Sequence, residues 1–154
     1  MKVYGEYTTS LFRALDEIDE NWPQYDGLIV AGTHTPTKYD SEEIISEIWK
    51  AWEKTPALLI CFGHQLGAVA YARHVLGIKD ATSQELGKPG TQVVKYRGQL
   101  KVGLMDEESY WNNYEVDCEY KPPKHFVSTQ FHPEYQSAID RPHPLLVKFL
   151  KMFK

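Results

Sequence analysis

Short apolar runs of strand length alternate along this chain with segments of helical periodicity. The runs cover residues 2–4, 26–31, 56–60 and 125–131. Apolar side chains recur at helical spacing in segments that begin near residues 10, 41, 62 and 144. This alternation predicts an α/β fold, in which a doubly wound, mostly parallel sheet carries helices on both of its faces.

One segment, residues 91–120, departs from the alternation. Its β-like pieces lie around residues 92–94, 100–102 and 114–116, separated by Gly98 and Gly103 and followed by Pro122-Pro123. Glycine and proline at such intervals are typical of turns between short strands. We therefore predict a small insertion rich in β-hairpins.

Length and composition exclude several classes of protein. The chain has 154 residues, of which 42% are hydrophobic and 25% charged, and this is typical of one globular domain spanning residues 1–154. The net charge of −4, without a basic run longer than a pair, argues against nucleic acid as a partner. No segment approaches the roughly 20 apolar residues of a membrane span, and we expect neither a signal peptide nor a membrane partner. We expect a cytoplasmic protein.

The cysteine and histidine patterns argue against a metal or a disulfide framework. The two cysteines, Cys61 and Cys118, are too few for a network of disulfides and lack the spacing of metal ligands. The histidines form neither an H-E-x-x-H motif nor a Cys/His cluster. We therefore expect no metal and no cofactor.

Reactive or flexible residues directly follow three of the predicted strands. These segments are Gly32-Thr33-His34, Cys61-Phe62-Gly63 and His132-Pro133-Glu134. The carboxyl ends of parallel strands meet at one edge of a sheet, where ligands bind in open α/β folds. The three segments therefore predict a single site.

Residue types at these strand ends indicate a cysteine nucleophile. Cys61 lies between a strand and a helix, the position of a nucleophile elbow, and the positive helix end favours a thiolate there. His132 would carry the proton and Glu134 would orient its ring, giving a Cys-His-Glu triad. The backbone N–H groups of Phe62 and Gly32 are the candidate oxyanion donors.

Each motif alone also has a simpler interpretation. A cysteine after an apolar strand is commonly a small core residue, and the Gly32 and His132 segments would pass as an ordinary loop and turn. Their joint occurrence at predicted strand ends favours the functional interpretation.

Two motifs resemble a known family. Residues 56–66 (PALLICFGHQL) resemble the nucleophile segment of class I, triad-type glutamine amidotransferases, which is close to P-x-h-G-I-C-x-G-H-Q. Residues 129–134 (TQFHPE) are similar to V-Q-F-H-P-E of the same family. Residues 26–36 and Glu85-Leu86-Gly87 match the family's glycine loop and its E-h-G element more weakly.

The resemblance implies a fold, a reaction and a set of roles. The fold would be flavodoxin-like. Cys61 would attack the side-chain amide of glutamine, forming a γ-glutamyl thioester and releasing ammonia, with His132 as proton carrier and Glu134 as its orienter. The other implied roles are substrate binding by Gln65, Asn113 and Tyr114, and oxyanion stabilisation by Gly32 and Phe62.

The chain departs from the family pattern at several positions. Leu59 replaces a glycine two residues before the nucleophile, and Ala31, Thr33 and His34 replace residues of the proline- and glycine-rich loop. The separation of 71 residues between Cys61 and His132 is short for the family. The resemblance is therefore to a shortened member.

Three functions fit these observations. The first is a glutaminase component that supplies ammonia to a separate synthase or ligase, because the chain lacks a G-x-x-x-x-G-K-[ST] motif for acceptor chemistry. The second is a γ-glutamyl hydrolase or peptidase that uses water as its acceptor. The third is a catalytically impaired relative that acts as a binding subunit.

Overall fold

Strands and helices alternate through the first half of the chain and again at its end. The computed structural model describes residues 1–105 and 108–154, and the side chains of residues 1–98 and 113–154. In chain order the elements are β1 (Lys2–Tyr4), α1 (Thr9–Ile18), β2 (Leu28–Val30), α2 (Ser41–Ala51), β3 (Ala57–Ile60), α3 (Phe62–His74), β4 (Ala81–Ser83), β5 (Thr91–Met105), β6 (Glu108–Val116), β7 (Phe126–Thr129) and α4 (Pro144–Lys151).

The larger sheet has the strand order β1-β2-β3-β7, and every neighbouring pair in it is parallel. Strand β3 is central, with Val30 of β2 opposite Leu59 on one side and Ser128 of β7 opposite the same residue on the other. All four carboxyl ends therefore lie along one edge of the sheet.

Different helices cover the two faces of this sheet. Leu28, Val30 and Leu59 pack against α2 and α3, whereas the alternate residues Ile29 and Leu58 pack against α1 and α4. Successive side chains of a strand point to opposite faces, so strands buried on both faces are apolar throughout. The predicted doubly wound α/β architecture is confirmed.

Helix α3 lies close against the sheet because glycines form its contact surface. A Cβ atom at Gly63 would collide with the backbone oxygen of Val30. At Gly67 it would collide with the Tyr120 hydroxyl and lie 2.9 Å from Leu59 Cδ1. The space left by Gly67 accommodates Leu59, which is completely buried in place of the family's glycine.

A smaller sheet of β4, β5 and β6 corrects the prediction of three short pieces between residues 91 and 116. The first two pieces belong to one long strand, β5, which pairs antiparallel with β6 and parallel with β4. Gly98 has φ +73° and lies where the pairing register shifts between Tyr96 and Leu100. This glycine therefore marks an irregularity inside a strand, where the sequence had indicated a turn.

The smaller sheet shares a core with the larger one. Val93 and Val94 of β5 belong to the same buried cluster as Leu66 of α3. None of the described helices is both long enough and apolar enough to cross a membrane.

Candidate active site

The edge formed by the carboxyl ends of the larger sheet brings the predicted site segments together. Gly32 follows β2, Cys61 follows β3, and His132 comes shortly after β7. The turn after β1, Gly5 to Thr8, lies at the same edge, and its Glu6 N–H and Tyr7 N–H donate to Gly32 O at 3.0 and 3.1 Å. Four chain segments therefore surround one site.

Cys61 occupies a strained turn between β3 and α3. It has φ +55° and ψ −101°, and it is the only residue other than glycine with positive φ in the described ranges. Cys61 N–H donates to Thr129 O of β7 at 2.9 Å, and Cys61 O accepts from Gln65 N–H at 3.0 Å. A residue held in this region costs about 1–3 kcal/mol, and such strain concentrates at functional sites. The turn has the strand-turn-helix arrangement of a nucleophile elbow.

His132 and Glu134 form a buried pair beside the elbow. The distance from His132 Nδ1 to Glu134 Oε1 is 2.6 Å, and the two residues are only 4% and 1% exposed. Burial lowers the pKa of His132, but hydrogen bonds to Cys61 and Glu134 together with their charges outweigh this effect and raise the pKa to about 9. His132 is therefore an imidazolium at neutral pH, with Glu134 on one side and Cys61 on the other.

Aromatic rings fix the plane of the His132 imidazole. The Tyr135 ring stacks on it with centroids 4.9 Å apart, and the Tyr7 ring meets it edge-on at 6.0 Å. Arg13 of α1 donates to the backbone oxygens of Glu134 and Ser137 at 3.3 and 3.1 Å, which anchors the turn that carries the pair.

Gly32 leaves room for this histidine. A Cβ atom at position 32 would lie 2.8 Å from Tyr7 Cδ2 and 2.9 Å from His132 Cε1, so only glycine fits. Phe62 provides the first N–H of α3, which has no acceptor within the helix. Both backbone groups predicted as oxyanion donors therefore lie next to residues of the predicted triad.

The predicted substrate-binding residues differ in their surroundings. Gln65 is 1% exposed and hydrogen-bonds to Glu85, and its Oε1 has no partner in the described part of the chain. Burial raises the pKa of Glu85 to about 7, against the opposing effect of that hydrogen bond. Burial, followed by the charge of Glu85, raises the pKa of Tyr114. Asn113, the preceding residue of β6, is exposed.

The second cysteine has the surroundings of a structural residue. Cys118 packs against the cluster under α3, and burial, followed by the charges of Asp117 and Glu119, raises its pKa. Among the described residues, no group of three His, Cys, Asp or Glu side chains has an arrangement that could hold a metal ion.

Sequence reasoning missed four residues around the site: Glu6, Tyr7, Gln130 and Tyr135. Gln130 Nε2 donates to the Cys61 sulfur at 3.6 Å, and the other three surround Gly32 or His132. Two of these residues could have been found from their position in the predicted sheet. Glu6 and Tyr7 follow the short predicted strand at residues 2–4, whose carboxyl end had to share the edge with the others.

Comparisons with known proteins agree with this architecture. The glutamine amidotransferase class-I family model matches residues 4–118. The chain is 29% identical to the CTP synthase of Methanoculleus marisnigri and 24% identical to that of Bacteroides fragilis, in alignments that cover 66% and 97% of this chain. It spans only 29% and 38% of the length of those relatives.

A solved structure has the same fold. The glutaminase domain of Trypanosoma brucei CTPS, with bound acivicin, has a TM-score of 0.71 and 17% identity to this chain. The match covers 98% of this chain and 92% of that domain, so it includes the segment of His132 and Glu134 that lies beyond the family match. The chain belongs to the class-I glutamine amidotransferase family.

Proposed function

We propose that this chain hydrolyses the side-chain amide of glutamine and supplies the ammonia to a partner synthase or ligase. The observation that carries the proposal is the buried His132–Glu134 pair, 2.6 Å apart, beside a cysteine held at φ +55°. A cysteine at an elbow next to an imidazolium, which favours the thiolate, is the arrangement that cysteine acyl transfer requires.

The first half of the reaction forms a thioester. Cys61 Sγ, as the thiolate, attacks the amide carbon of glutamine, and the electron pair of the C=O bond moves to oxygen, where the N–H groups of Phe62 and Gly32 stabilise it. When the tetrahedral intermediate collapses, the C–N bond breaks and His132 Nε2 donates its proton to the leaving nitrogen. Ammonia departs and a γ-glutamyl thioester remains on Cys61.

The second half restores the enzyme. His132, now neutral, accepts a proton from water as the water oxygen attacks the thioester carbon. The C–S bond then breaks, Cys61 leaves as the thiolate beside the His132 imidazolium, and the new carboxyl group releases its remaining proton to solvent as glutamate departs. Glu134 keeps Nδ1 of His132 protonated throughout, so that Nε2 faces the reacting atoms.

Glu85 and Gln65 are suited to the amino-acid end of glutamine. Glu85 has no cationic partner among the described residues, and a substrate ammonium would supply one. The open Oε1 of Gln65 lies one helical turn beyond Cys61 and can accept a second hydrogen bond from the same ammonium. Tyr114 lies near enough to Glu85 for the charge of that carboxylate to raise its pKa, and Asn113 stays a prediction from the family resemblance.

The ammonia acceptor would be a partner protein or domain. The matched CTP synthases carry more than half of their length outside the region that aligns with this chain. We propose that a synthase or ligase of comparable role consumes the ammonia made here.

The test is glutamate release from glutamine by the purified chain, measured with and without the product of the neighbouring gene. Cys61→Ala should reduce release to background, and the matched variant Cys118→Ala should keep it near wild type. Release that rises when the neighbouring product is added would support the role as an ammonia supplier.

Other outcomes would favour the alternatives. Much faster turnover of γ-glutamyl conjugates than of glutamine would indicate a γ-glutamyl hydrolase. A folded chain whose Cys61 does not react with a glutamine-like diazo-ketone would indicate an impaired, binding subunit.

A further inference from the structure

The loop after β2 is held by one carboxylate from the turn after β1. Glu6 Oε1 accepts hydrogen bonds from Thr33 Oγ1 at 2.5 Å, from His34 N–H at 2.7 Å and from Thr35 Oγ1 at 3.3 Å. Thr33 Oγ1 in turn accepts from Thr35 N–H at 2.9 Å. One oxygen atom therefore organises three consecutive residues.

The backbone of the same turn fixes the orientation of the loop. Gly32 O accepts from the N–H groups of both Glu6 and Tyr7, so the Gly32 carbonyl points toward β1. Because the peptide bond is trans and planar, the N–H of Thr33 points in the opposite direction, away from β1. Strand β3, which ends at Cys61, lies on that opposite side of β2.

These contacts divide the backbone donors of the loop into two groups. The N–H group of His34 donates to Glu6, and that of Thr35 donates to Thr33 Oγ1 within the loop. Those of Gly32 and Thr33 have no acceptor in the described part of the chain, although Gly32 and Thr33 are both buried. Buried N–H groups normally have partners, so this pair is available to a substrate oxygen.

The charge of Glu6 fits this arrangement. The hydrogen bonds from Thr33 and then from His34 lower its pKa, so the carboxylate is ionised and accepts strongly at neutral pH. The Tyr7 ring packs edge-on against the His34 ring at 4.6 Å, which closes the turn over the loop.

We propose that Glu6 is a positioning residue that aims the N–H groups of Gly32 and Thr33 at the oxygen of the substrate amide. The inference rests on the proposed glutaminase reaction and deepens it, because it names the side chain that holds half of the oxyanion site in place. Glu6 itself does not touch the substrate.

The test separates oxyanion geometry from thiol reactivity. In Glu6→Ala we expect kcat for glutamine to fall by about 10- to 100-fold with little change in KM, since misplaced donors weaken the transition state more than the ground state. A γ-aldehyde analogue of glutamine, whose thiol adduct places an oxygen anion in the same position, should bind about 10- to 100-fold more weakly for the same reason. Alkylation of Cys61 by iodoacetamide needs no oxyanion donor and should keep its wild-type rate.

Four further variants complete the design. Glu6→Gln keeps an acceptor oxygen and should lose clearly less activity than Glu6→Ala. Thr33→Val removes the hydroxyl that joins Glu6 to Thr35 and should show the same split between aldehyde binding and alkylation. Combining it with Glu6→Ala should add little further loss, because both changes break one network. Glu53, an exposed glutamate two residues beyond the end of α2, provides the matched control, and Glu53→Ala should behave as wild type.

The outcomes distinguish the two proposals. A wild-type chain that releases no glutamate overturns both of them. An active wild type together with an unaffected Glu6→Ala overturns the positioning role alone. Equal losses in alkylation and aldehyde binding would show that Glu6 supports the thiol or the fold, and would also overturn that role. If Glu6→Ala does not fold, Glu6→Gln and Thr33→Val carry the same test.

Discussion

At the scale of single residues, the site depends on charges placed where water is scarce. His132 and Glu134 are almost fully buried, and each is acceptable there because the other is 2.6 Å away. Their types and spacing were readable from the sequence because they form a short local motif. The contribution of Glu6 could not be predicted from the sequence, because its three partners lie 27 to 29 residues away and form no local motif with it.

The pH dependence of the proposed reaction should report the Glu134 charge. With the pKa of His132 raised to about 9, kcat/KM of the wild type should fall as pH rises through about 9, because the imidazolium that protonates the leaving ammonia is lost. Glu134→Gln removes a negative charge that raises this pKa, so the alkaline limb should move to lower pH, and activity should drop roughly 10²- to 10⁴-fold. The control is Glu20→Gln, an exposed site. An alkaline limb that does not move would contradict the assignment.

Ionisation of Glu85 should lower the free energy of unfolding. Its pKa of about 7 in the folded chain exceeds the ordinary value of 4.5, so the folded state binds more protons than the unfolded state between these two pH values. The free energy of unfolding should therefore fall, by on the order of 1–3 kcal/mol, as pH rises from 5 to 8. Glu85→Gln should remove this part of the pH dependence, as measured by urea unfolding at several pH values.

The same variant tests the substrate role of Glu85. Wild-type KM for glutamine should decrease as pH rises through about 7, because the ionised carboxylate attracts the substrate ammonium. A variant that gains stability at pH 8 but leaves KM unchanged would assign Glu85 to the core alone.

At the scale of elements, the sequence predicted the buried strands and the reactive residues that follow them. It did not predict the bounds of the strands in the smaller sheet. Apolar runs bounded by turns identified β2, β3 and β7. The predicted helix that begins near residue 41 is α2, and Asp40 caps it by accepting from Glu43 N–H. The pieces around residues 92–94 and 100–102 merge into β5, because Gly98 takes up positive φ without ending the strand. Local composition alone does not distinguish a bulge from a turn, since both select glycine.

The close packing of α3 on the sheet should be sensitive to one methyl group. Gly67→Ala gains about 0.5–1 kcal/mol of helix propensity but introduces overlaps with Leu59 and Tyr120 that cost about 1–3 kcal/mol, so we expect net destabilisation. Urea unfolding at pH 7 measures the difference. Tyr120→Phe alone should also destabilise, because it breaks the 2.9 Å hydrogen bond to Ser128.

Combining the two changes distinguishes the proposed overlap from a general effect. The Tyr120 hydroxyl is the atom nearest to the added methyl group, so Gly67→Ala with Tyr120→Phe should destabilise less than the sum of the single variants. Strict additivity would mean that the helix shifts away from the sheet without meeting Tyr120.

At the scale of the whole molecule, the chain has the family's fold but is shorter than the matching region of a relative. The alignment with the Bacteroides fragilis relative extends over 214 positions although this chain has 154 residues, so the relative carries insertions that are absent here. The sequence predicted this shortening from the separation of Cys61 and His132. The fold is kept despite the shortening, because helices still cover both faces of the larger sheet. The absent insertions are therefore expected to lie outside the core elements.

The prediction of one domain over residues 1–154 can be tested by thermal unfolding. Val93 and Val94 of the smaller sheet share a core with α3, so both sheets should unfold together. Tryptophan fluorescence and far-UV circular dichroism should give coincident transitions. Calorimetry should give an unfolding enthalpy of about 110 kcal/mol near 60 °C. Two separate transitions would show that the smaller sheet is an independent unit.

The pairing of β3 with β7 has a consequence for the biosynthesis of this protein. Cys61 N–H donates to Thr129 O, and His132 follows three residues after that strand, so the proposed acid-base partner of the sulfur is contributed by a segment translated much later. While the ribosome is still making the intervening residues, Cys61 has neither β7 nor His132 beside it. In the proposed mechanism the site is therefore complete only once β7 has paired with β3, and a nascent chain that lacks β7 should not form the γ-glutamyl thioester.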